Sequence, residues 1–526
     1  MVLHEVLDKV PFEVRDLINS GWDEEYLIDV TGFQGAYNLI QNAVSHTNIA
    51  LVQGPAGTGK TALYQSILHD MLGRITNDNP VLYIAPTNQL VADMLQKMAS
   101  VYRHTGRNIN DLLNEVRIYG SLFRFNDDNR RLNDQMDENV RLVIATDYQR
   151  AANLHPASNF HVMIDEASKT PLHKSFISLA ERLIRSIEEG RSILGSFSVI
   201  GDPQQAINLK PQYRNNDKNL LMMNSFIRGL LSTSVRREVD SGTRDLLDAA
   251  LSELRGRYFE FLEMSWRMPS PSEVPISRGY YDDRLRARYT AGERLREWNN
   301  NLASNLRTQD ERFDFPIRII EEAMTTHRPM IYVRTEERGY QDRSLSSTYD
   351  PIRAEIGILF AVCLTVNTKD PTTVTTVYQD QRMQMEITYN RRYRPFMRML
   401  GLDGYIRFAT VDKMLGSQSE NIVAILGKEY TGFDETSTTR YFQEPPLLNV
   451  QLSRHRRMIV IVGNLSQLIM YANRFHQQKY AAEYTNLRIT AESIHELAGI
   501  ASVPRTSRTI RISNGDGCVY APYNDS

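Results

Sequence analysis

The sequence predicts an α/β fold with two parallel sheets, each covered by helices. Short apolar runs separated by helix-length segments recur between residues 48 and 202. Runs without alternating polar residues are typical of strands buried on both faces. The same pattern returns between residues 329 and 464. A chain of 526 residues is also too long for a single ordinary core, which favours at least two domains.

The apolar runs give the expected strands and domain limits. In the first half the runs are "NIALVQ", "VLYIAP", "LVIAT", "VMID" and "SVIGD". In the second half they are "PMIYVRT", "TTVTTVY", "NIVAILG" and "MIVIVGN". Two long segments read as insertions into the first domain, about 98–139 and 212–261. The predicted regions are an N-terminal helical segment (1–30), a first domain (31–265), a second domain (266–490) and a C-terminal tail (491–526).

Composition excludes several classes of protein. Hydrophobic residues make up 41% of the chain and charged residues 24%, which is typical of folded globular proteins. The net charge is −2, with 61 basic and 63 acidic residues, so any site for a polyanion must be local. Only Cys363 and Cys518 are present, which excludes a disulfide framework, a zinc ribbon and an iron–sulfur cluster.

Hydropathy argues against a membrane protein or a secreted one. The most continuous apolar stretch, "IGILFAVCLTV" at 356–366, is well short of the roughly 20 residues that span a bilayer, so we expect a buried core element. The first residues lack the basic start and apolar centre of a signal peptide. We therefore expect an intracellular, cytoplasmic protein, with the nucleus as the alternative in a eukaryotic host.

A phosphate-binding loop is the strongest motif. "GPAGTGKT" follows an apolar run and precedes "ALYQSILHDML", which has the composition of a helix. In such a loop successive backbone N–H groups point at phosphate, Lys60 reaches the terminal phosphates and the Thr61 hydroxyl takes a magnesium position. The second half of the chain has no such loop. The expected nucleotide-binding residues here are Gly54, Pro55, Ala56, Gly57, Thr58, Gly59, Lys60 and Thr61.

Two further strand ends carry polar groups suited to hydrolysis. In "VMIDEAS", Asp165 can orient the metal and its waters, and Glu166 can accept a proton from an attacking water. In "VIGDPQQ", Asp202 and Gln205 can sense the terminal phosphate or position water. Solvated Asp-Glu pairs and a Gly-Asp-Pro turn are the alternatives for these two motifs.

In their order, these motifs resemble those of superfamily 1 helicases, most closely the Upf-type branch of the nonsense-mediated-decay helicase. "VLYIAPTNQLVADML" is similar to the segment by which that family holds the nucleic-acid backbone, and "DEAS" and "GDPQQ" match the next motifs. "MSWRMPSPSEVPISRGYYDDRL" resembles the segment that opens its second lobe, and "VYQDQR" resembles a strand that follows. "ATVDKMLGSQSENIVAIL" and "LNVQLSRHRRMIVIVGN" resemble its last two motifs.

The resemblance implies two RecA-like P-loop NTPase domains that clasp one ATP and Mg²⁺. By position, Gln34 would read adenine and Trp266 would stack on the base. Arg267 and Arg454 would be arginine fingers; surface ion pairs and, for Trp266, a core aromatic are the alternatives. The implied catalytic residues are Lys60, Asp165, Glu166, Gln205, Arg267 and Arg454. Gly416 and Gln418 would also contact nucleotide, and Pro86, Thr87, Asn88 and Thr146 would contact nucleic acid.

The sequence departs from the family in the motif "MLGSQSE". Leu415 stands where a glutamine is usual and Gln418 where a glutamate is usual, so the resemblance does not fix the coupling or the nucleotide preference. The chain resembles a two-lobe core without the zinc or cluster modules of larger members, and residues 98–139 are the main candidate for a strand-separating element.

Two arginine-rich segments are further candidates for contact with nucleic acid. "RRYRPFMR" (391–398) interleaves four arginines with Tyr393 and Phe396, and "RLRARY" (284–289) has a similar composition. A solvated helix face is the alternative for both segments. Neither segment distinguishes RNA from DNA.

The resemblance implies an ATP-dependent 5′-to-3′ helicase or translocase on single-stranded RNA or DNA. We expect it to act as a monomer, because one chain holds both halves of the site. One alternative is a nucleic-acid-stimulated ATPase that remodels protein–nucleic acid complexes without unwinding. Another is a nucleotide-gated binding scaffold, favoured only by the altered "MLGSQSE". A P-loop kinase is a poor fit, since it has no second sheet that carries arginines.

Overall fold

The computed structural model forms two compact units, Met1–Met264 and Ser265–Ser526. The residues that the structure describes are 12–20, 33–46, 49–76, 79–120, 122–124, 140–146, 161–167, 188, 195–205, 249, 252–335, 349–414, 417–427, 440–475, 481–502, 510–513 and 517–520.

The first unit is built on a parallel sheet. Its strands are, in chain order, β1 (Phe12–Glu13), β2 (Ile49–Gln53), β3 (Val81–Ala85), β4 (Val116–Tyr119), β5 (Phe123–Arg124), β6 (Leu142–Thr146), β7 (His161–Ile164), β8 (Ser196–Gly201) and β9 (Phe259–Phe261). Seven of these strands form one sheet in the order β4-β6-β3-β7-β8-β2-β9, and every pairing is parallel. The carboxyl ends of all seven therefore meet at one edge, where such sheets bind ligands.

Helices cover this sheet. In chain order they are α1 (Val14–Ser20), α2 (Gln34–His46), α3 (Lys60–Met71), α4 (Asn88–His104) and α5 (Ile109–Glu115). Thr87 caps α4, since its side chain accepts a hydrogen bond from the N–H of Leu90. The apolar faces of these helices and the central strands share one buried core, which includes Leu63, Tyr64 and Tyr83.

The structure differs from the sequence prediction at the segment 98–139. Its first part is not an insertion, because residues up to 104 complete α4 and residues 116–119 form the edge strand β4. The apolar residues Val116 and Ile118 are buried there. Residues 125–139, and most of the second expected insertion at 212–261, lie outside the described residues.

The second unit contains another parallel sheet. Its strands are, in chain order, β10 (Met264–Ser270, which begins on the last residue of the first unit), β11 (Arg286–Thr290), β12 (Met330–Arg334), β13 (Thr372–Thr376), β14 (Ile406–Thr410), β15 (Ser419–Ile425), β16 (His455–Gly463), β17 (Gly499–Ser502), β18 (Ile510–Ser513) and β19 (Gly517–Tyr520). Six of them form one sheet in the order β14-β13-β15-β16-β12-β17, and every pairing is parallel. β10 pairs with β11, and β18 pairs with β19.

The helices of the second unit follow the same alternation. They are α6 (Val274–Tyr280), α7 (Ala291–Arg294), α8 (Asn300–Gln309), α9 (Asp314–Thr325), α10 (Pro351–Thr368), α11 (Gln379–Arg392), α12 (Arg394–Met399), α13 (Arg440–Gln443), α14 (Pro446–Leu452), α15 (Leu465–Phe475) and α16 (Ala481–Leu497). Two parallel sheets of this kind, each flanked by helices, are the architecture of two RecA-like domains, so the predicted fold class is confirmed.

Helix α10 is the apolar element that the sequence predicted as core. Among the described residues, it alone is long and apolar enough to cross a bilayer, with a mean hydropathy of 1.3, and 83% of it is buried within the fold. Its side chains pack on β13 and β15, and each fully buried Leu, Ile, Val or Phe contributes about 1.5–3 kcal/mol. Length and composition alone make the helix a weak indication of a membrane span.

The second sheet continues past residue 490, where the sequence suggested that a tail begins. Helix α16 runs to Leu497, and β17 then pairs in parallel with β12. Gly279 lets α6 approach α16, since a Cβ at that position would overlap the Thr490 hydroxyl. These residues therefore belong to the second unit.

Candidate active site

The phosphate loop lies between β2 and α3, at the carboxyl edge of the first sheet. Gly59 precedes α3 in the left-handed region, with φ of 82°, which a residue with a Cβ adopts with strain. The Lys60 ammonium donates to the carbonyl oxygen of Gly54 at 3.0 Å. A Cβ at Gly54 would overlap the Lys60 side chain, so glycine is needed for the lysine to lie along the loop.

Thr61 and Asp165 bring two oxygen ligands together. The Thr61 hydroxyl donates to Asp165 Oδ2 at 3.1 Å, although the residues come from the start of α3 and the end of β7. Hydroxyl and carboxylate oxygens suit Mg²⁺, which takes one or two protein ligands and completes its shell with water and substrate phosphates. The described residues contain no group of three or more His, Cys, Asp or Glu side chains placed to hold a metal ion, and a magnesium site of this kind needs none. The two residues therefore fit Mg²⁺.

Glu166 lies beside Lys60 in a strained conformation. The Lys60 ammonium lies 3.4 Å from Glu166 Oε1, and both side chains are largely buried. The backbone φ of Glu166 is 48°, an uncommon value for a residue with a Cβ that typically costs about 1–3 kcal/mol. The N–H of Glu166 donates to Asp165 Oδ1 at 2.8 Å, and this bond supports the turn. Because of this turn, the Glu166 carboxylate lies beside Lys60, whereas the Asp165 carboxylate contacts Thr61.

Asp202 and Gln205 form a turn at the end of β8. The Gln205 amide donates to Asp202 Oδ2 at 3.0 Å, and the N–H of Gln204 donates to Asp202 Oδ1 at 3.1 Å. Both Asp202 and Gln205 are buried. Because β8 lies between β7 and β2, this turn is at the same sheet edge as the phosphate loop and the carboxylate pair.

Burial changes the proton affinity of the groups around Asp165. Burial raises the pKa of Asp165 above its usual range and Glu166 raises it further, whereas a hydrogen bond from Tyr83 and the charge of Lys60 oppose the rise. Burial also raises the pKa of Tyr83 well above its usual value, with Asp165 acting in the same direction. The Tyr83 hydroxyl therefore stays protonated, and it donates a hydrogen bond to Asp165 Oδ2 at 2.7 Å.

In the second unit, Arg267 is held by two acceptors. Its Nε donates to Gln418 Oε1 at 3.1 Å, and its Nη1 donates to the carbonyl oxygen of Ser453 at 3.0 Å. Strand β10 supplies Arg267, and the turn after α14 supplies Ser453. Arg267 therefore contacts Gln418 and the residue next to Arg454.

Arg454 is positioned by helix α14. It is buried, and its Nε donates to the carbonyl oxygen of Val450 at 3.1 Å. The helix itself is fixed by Gln451, whose amide nitrogen donates to Thr375 O at 3.2 Å and to Ile425 O at 3.2 Å. Gln451 also accepts from the Tyr441 hydroxyl. Sequence reasoning missed Gln451, since the only signal was a polar residue within an apolar segment.

Trp266 lies in a cluster of aromatic rings and arginines. Its ring is 6.3 Å from that of Tyr289, and the Arg288 guanidinium carbon is 5.8 Å from its centroid. Arg294 lies 3.7 Å from the Tyr289 centroid and donates to the Trp266 carbonyl oxygen at 3.0 Å. Trp266 is half-buried. The cluster brings part of the "RLRARY" segment next to the predicted base-stacking residue.

The remaining predicted nucleotide contacts are Gln34 and the motif "MLGSQSE". Gln34 is exposed at the start of α2, and its amide donates to Asn38 at 2.8 Å. Leu415 and Gly416 lie outside the described residues, so of the two nucleotide contacts expected from "MLGSQSE", Gly416 and Gln418, only Gln418 has a described position.

The predicted nucleic-acid contacts lie at the carboxyl ends of β3 and β6. Pro86, Thr87 and Asn88 follow β3 directly, and Thr87 also caps α4. Thr146 is the last residue of β6, which pairs with β3 so that Ala85 is opposite Thr146. The four residues are therefore close to one another at the sheet edge that carries the phosphate loop.

The segment "RRYRPFMR" is less suited to nucleic acid than its sequence suggested. Tyr393 is buried in the core of the second unit, so its ring faces are not open to bases. Arg394 and Arg398 both contact Asp403, at 2.7 and 3.0 Å, and Arg392 contacts Glu355 at 3.5 Å. Three of the four arginines in this segment are thus paired with carboxylates of the second unit.

Two family models match the chain. The DEAD/DEAH box helicase model matches residues 36–204, and an AAA domain model matches residues 244–466. A search of curated proteins finds no match. Each model covers less than half of the chain, and together they support a helicase-like protein of superfamily 1 or 2. The narrower likeness to the nonsense-mediated-decay branch stays a prediction.

Similar solved structures are distant. One is an arterivirus nonstructural protein 10, a helicase, in complex with DNA, with 13% identity and a TM-score of 0.35 over 82% of this chain. This chain spans 64% of the length of that helicase. Another is the SWI2/SNF2 ATPase core of Sulfolobus solfataricus in complex with double-stranded DNA, with 12% identity and a TM-score of 0.30, covering 89% of this chain and 95% of that one.

Proposed function

We propose that the protein is an ATP-dependent helicase or translocase that moves on single-stranded nucleic acid. The observation that carries this proposal is the convergence of four groups at one sheet edge. Lys60 and Thr61 follow β2, whereas Asp165 and Glu166 follow β7, yet Lys60 lies 3.4 Å from Glu166 and Thr61 lies 3.1 Å from Asp165. This arrangement supports binding and hydrolysis of a nucleoside triphosphate.

In the proposed reaction the first unit binds the triphosphate. The backbone N–H groups of the loop and the Lys60 ammonium hold the phosphates at the start of α3. Thr61 and Asp165 would hold Mg²⁺, which would neutralise charge at the phosphates. In the structure the Lys60 ammonium contacts the carbonyl oxygens of its own loop, so this side chain must turn toward the phosphates when nucleotide enters.

Glu166 and Gln205 then act on water. Glu166 accepts a proton from the attacking water, a role that suits a carboxylate beside the terminal phosphate site. The amide of Gln205 lies at the neighbouring strand end and orients water or the terminal phosphate by hydrogen bonds. The buried position of both residues excludes bulk water from the reacting groups.

The second unit is proposed to supply Arg267 and Arg454 as arginine fingers. A guanidinium neutralises charge that develops on the transferring phosphoryl group, which is worth about 10³–10⁵ in rate in related enzymes. A hydrogen bond that links the two arginine segments supports this role, since Arg267 donates to the carbonyl oxygen of Ser453, the residue before Arg454. Fingers that come from a second lobe would couple hydrolysis to movement of the lobes.

Pro86, Thr87, Asn88 and Thr146 are the proposed contacts to the nucleic-acid backbone. Contacts of this kind depend on salt and tolerate any sequence. The 5′-to-3′ polarity rests on the resemblance to the nonsense-mediated-decay branch. We also propose a monomeric, cytoplasmic protein that uses ATP and Mg²⁺.

Strand displacement tests the proposal. Duplexes with a single-stranded 5′ tail, a 3′ tail or no tail are mixed with protein, ATP and Mg²⁺, and release of the labelled strand is followed by gel. We expect displacement of the 5′-tailed duplex only, and none by the Glu166→Gln variant. ATP hydrolysis without displacement of any duplex would support the remodelling ATPase instead.

A further inference from the structure

We propose that Tyr83 is a positioning residue that fixes the carboxylate of Asp165 for Mg²⁺. The inference rests on the proposed function, since it assigns a role in that same magnesium site. Tyr83 lies in the middle of β3, a strand that otherwise carries aliphatic side chains. The sequence motifs assign Tyr83 no function.

The hydroxyl of Tyr83 reaches the metal carboxylate directly. It donates to Asp165 Oδ2 at 2.7 Å, and neither side chain is exposed to solvent. Strand β3 pairs with β7 through Tyr83 and Met163, so the tyrosine is held by the sheet itself. A short hydrogen bond between a buried tyrosine on β3 and a buried carboxylate directly after β7, the strand paired with β3, leaves little freedom to either partner.

The two carboxylate oxygens of Asp165 have different hydrogen-bond donors. Oδ1 accepts from the N–H of Glu166 at 2.8 Å, and Oδ2 accepts from Tyr83 and from the Thr61 hydroxyl at 3.1 Å. The Glu166 and Tyr83 donors are fixed by backbone and sheet, whereas a threonine hydroxyl can rotate. Tyr83 therefore fixes the orientation of the Asp165 carboxylate. The side of the carboxylate that faces Thr61 is the side on which a cation can bind.

A second tyrosine gives a matched comparison. The rings of Tyr64 and Tyr83 meet edge to face, with centroids 5.9 Å apart and an interplanar angle of 86°. The Tyr64 hydroxyl donates to the carbonyl oxygen of Ile164 at 3.1 Å and does not contact the carboxylate. Tyr64→Phe and Tyr83→Phe thus remove the same atom from two buried, adjoining rings, but only the second removes a bond to Asp165.

Loss of the Tyr83 hydroxyl should weaken magnesium binding specifically. Removing a hydrogen-bond partner of a metal ligand typically lowers metal affinity by about 10–100-fold. We therefore expect Tyr83→Phe to require about tenfold more Mg²⁺ than the wild type. The maximal nucleotide binding and the maximal rate should be regained at high Mg²⁺, because Asp165 itself remains.

The test is a titration of Mg²⁺ against binding of a fluorescent ATP analogue, followed by anisotropy, for wild type, Tyr83→Phe and Tyr64→Phe. Hydrolysis is measured over the same Mg²⁺ range. A shift in half-saturation for Tyr83→Phe, with Tyr64→Phe within about twofold of wild type, supports the inference. Equal half-saturation for wild type and Tyr83→Phe, or equal shifts for both variants, would overturn it. Wild-type binding that ignores Mg²⁺ would contradict the proposed metal site itself, and the inference with it.

Discussion

The guanidinium of Arg267 donates to the carbonyl oxygen of Ser453 at 3.0 Å. The two residues are far apart in sequence, but the bond ties the segment "MSWRM" to the segment "QLSRHRR" next to Arg454. A hydrogen bond from a charged donor contributes about 1.5–3 kcal/mol. Arg267 and Arg454 should therefore hold a constant relative position within the second unit, which their proposed role as arginine fingers requires.

Replacing Gln418 by alanine should lower the rate without unfolding the protein. Gln418 is exposed and accepts from Arg267 Nε at 3.1 Å, so its loss removes one of the two described anchors of the guanidinium. We expect kcat to fall by about 3–10-fold, equivalent to a single modest hydrogen bond, with an unchanged Tm. Gln418→Glu keeps the acceptor and should retain the wild-type rate. If kcat of Gln418→Ala equals that of the wild type, Arg267 does not need the bond to Gln418.

Arg454→Ala should abolish ATP turnover and leave single-strand binding largely intact. Removal of an arginine finger lowers kcat by about 10³-fold or more. The matched control is Arg456→Ala, two residues along the same segment, where the side chain contacts Glu420 at 3.4 Å. We expect the control to keep turnover within about threefold, a change of less than 1 kcal/mol, as for a half-exposed ion pair. Full activity of a folded Arg454→Ala variant would refute the finger assignment.

Gln451→Leu should destabilise the second unit. The substitution removes the amide that bonds the Thr375 and Ile425 carbonyl oxygens and the Tyr441 hydroxyl, and each such buried hydrogen bond contributes about 0.5–1.5 kcal/mol. Urea unfolding followed by tryptophan fluorescence measures the effect, since Trp266 and Trp298 lie in this unit. A free energy of unfolding within about 0.5 kcal/mol of wild type would show that Gln451 does not fix α14.

His455 should make the second unit sensitive to acid. Burial lowers the pKa of His455 to about 3, with the charge of Arg267 acting in the same direction. Its Nε2 contacts the Ser272 hydroxyl at 2.7 Å, and that hydroxyl itself donates to Pro269 O, so the ring donates through Nε2. In the unfolded chain a histidine titrates near pH 6.5, so between the two pKa values the unfolded state binds one more proton. Stability is therefore complete above about pH 6.5 and falls as the pH is lowered toward 3.

His455→Gln tests this origin of the acid sensitivity, because glutamine keeps a donor and does not titrate. The free energy of unfolding of the wild type should fall more steeply than that of the variant between pH 6.5 and 4, by up to about 1.4 kcal/mol per pH unit. Parallel curves for the two proteins would mean that His455 is not the group responsible.

The strands and the phosphate loop could be predicted because they depend on local sequence. Buried parallel strands are continuous apolar runs, and a phosphate loop needs glycines and a lysine at fixed spacing, so "NIALVQGPAGTGKT" identifies both. Strand β4 was missed because "VRIY" contains Arg117, which is buried in the structure although its residue type favours the surface.

Residues that act through long-range contacts could not be predicted. Tyr83 and Gln451 lie within apolar segments, and their partners, Asp165 and Thr375, are 82 and 76 residues away. The "RRYRPFMR" segment was misleading for the same reason, since burial of Tyr393 and pairing with Asp403 depend on tertiary contacts. Sequence alone gives the residue types but not which face of an element meets the core.

The most direct test of the central claim is steady-state ATP hydrolysis by the purified protein, alone and with single-stranded RNA or single-stranded DNA, with Glu166→Gln as the blank. We predict strong stimulation by at least one of the two polymers and none in the variant, and the polymer that stimulates identifies the track. Protein that binds nucleotide but shows no turnover with either polymer would contradict the motor and favour the nucleotide-gated scaffold.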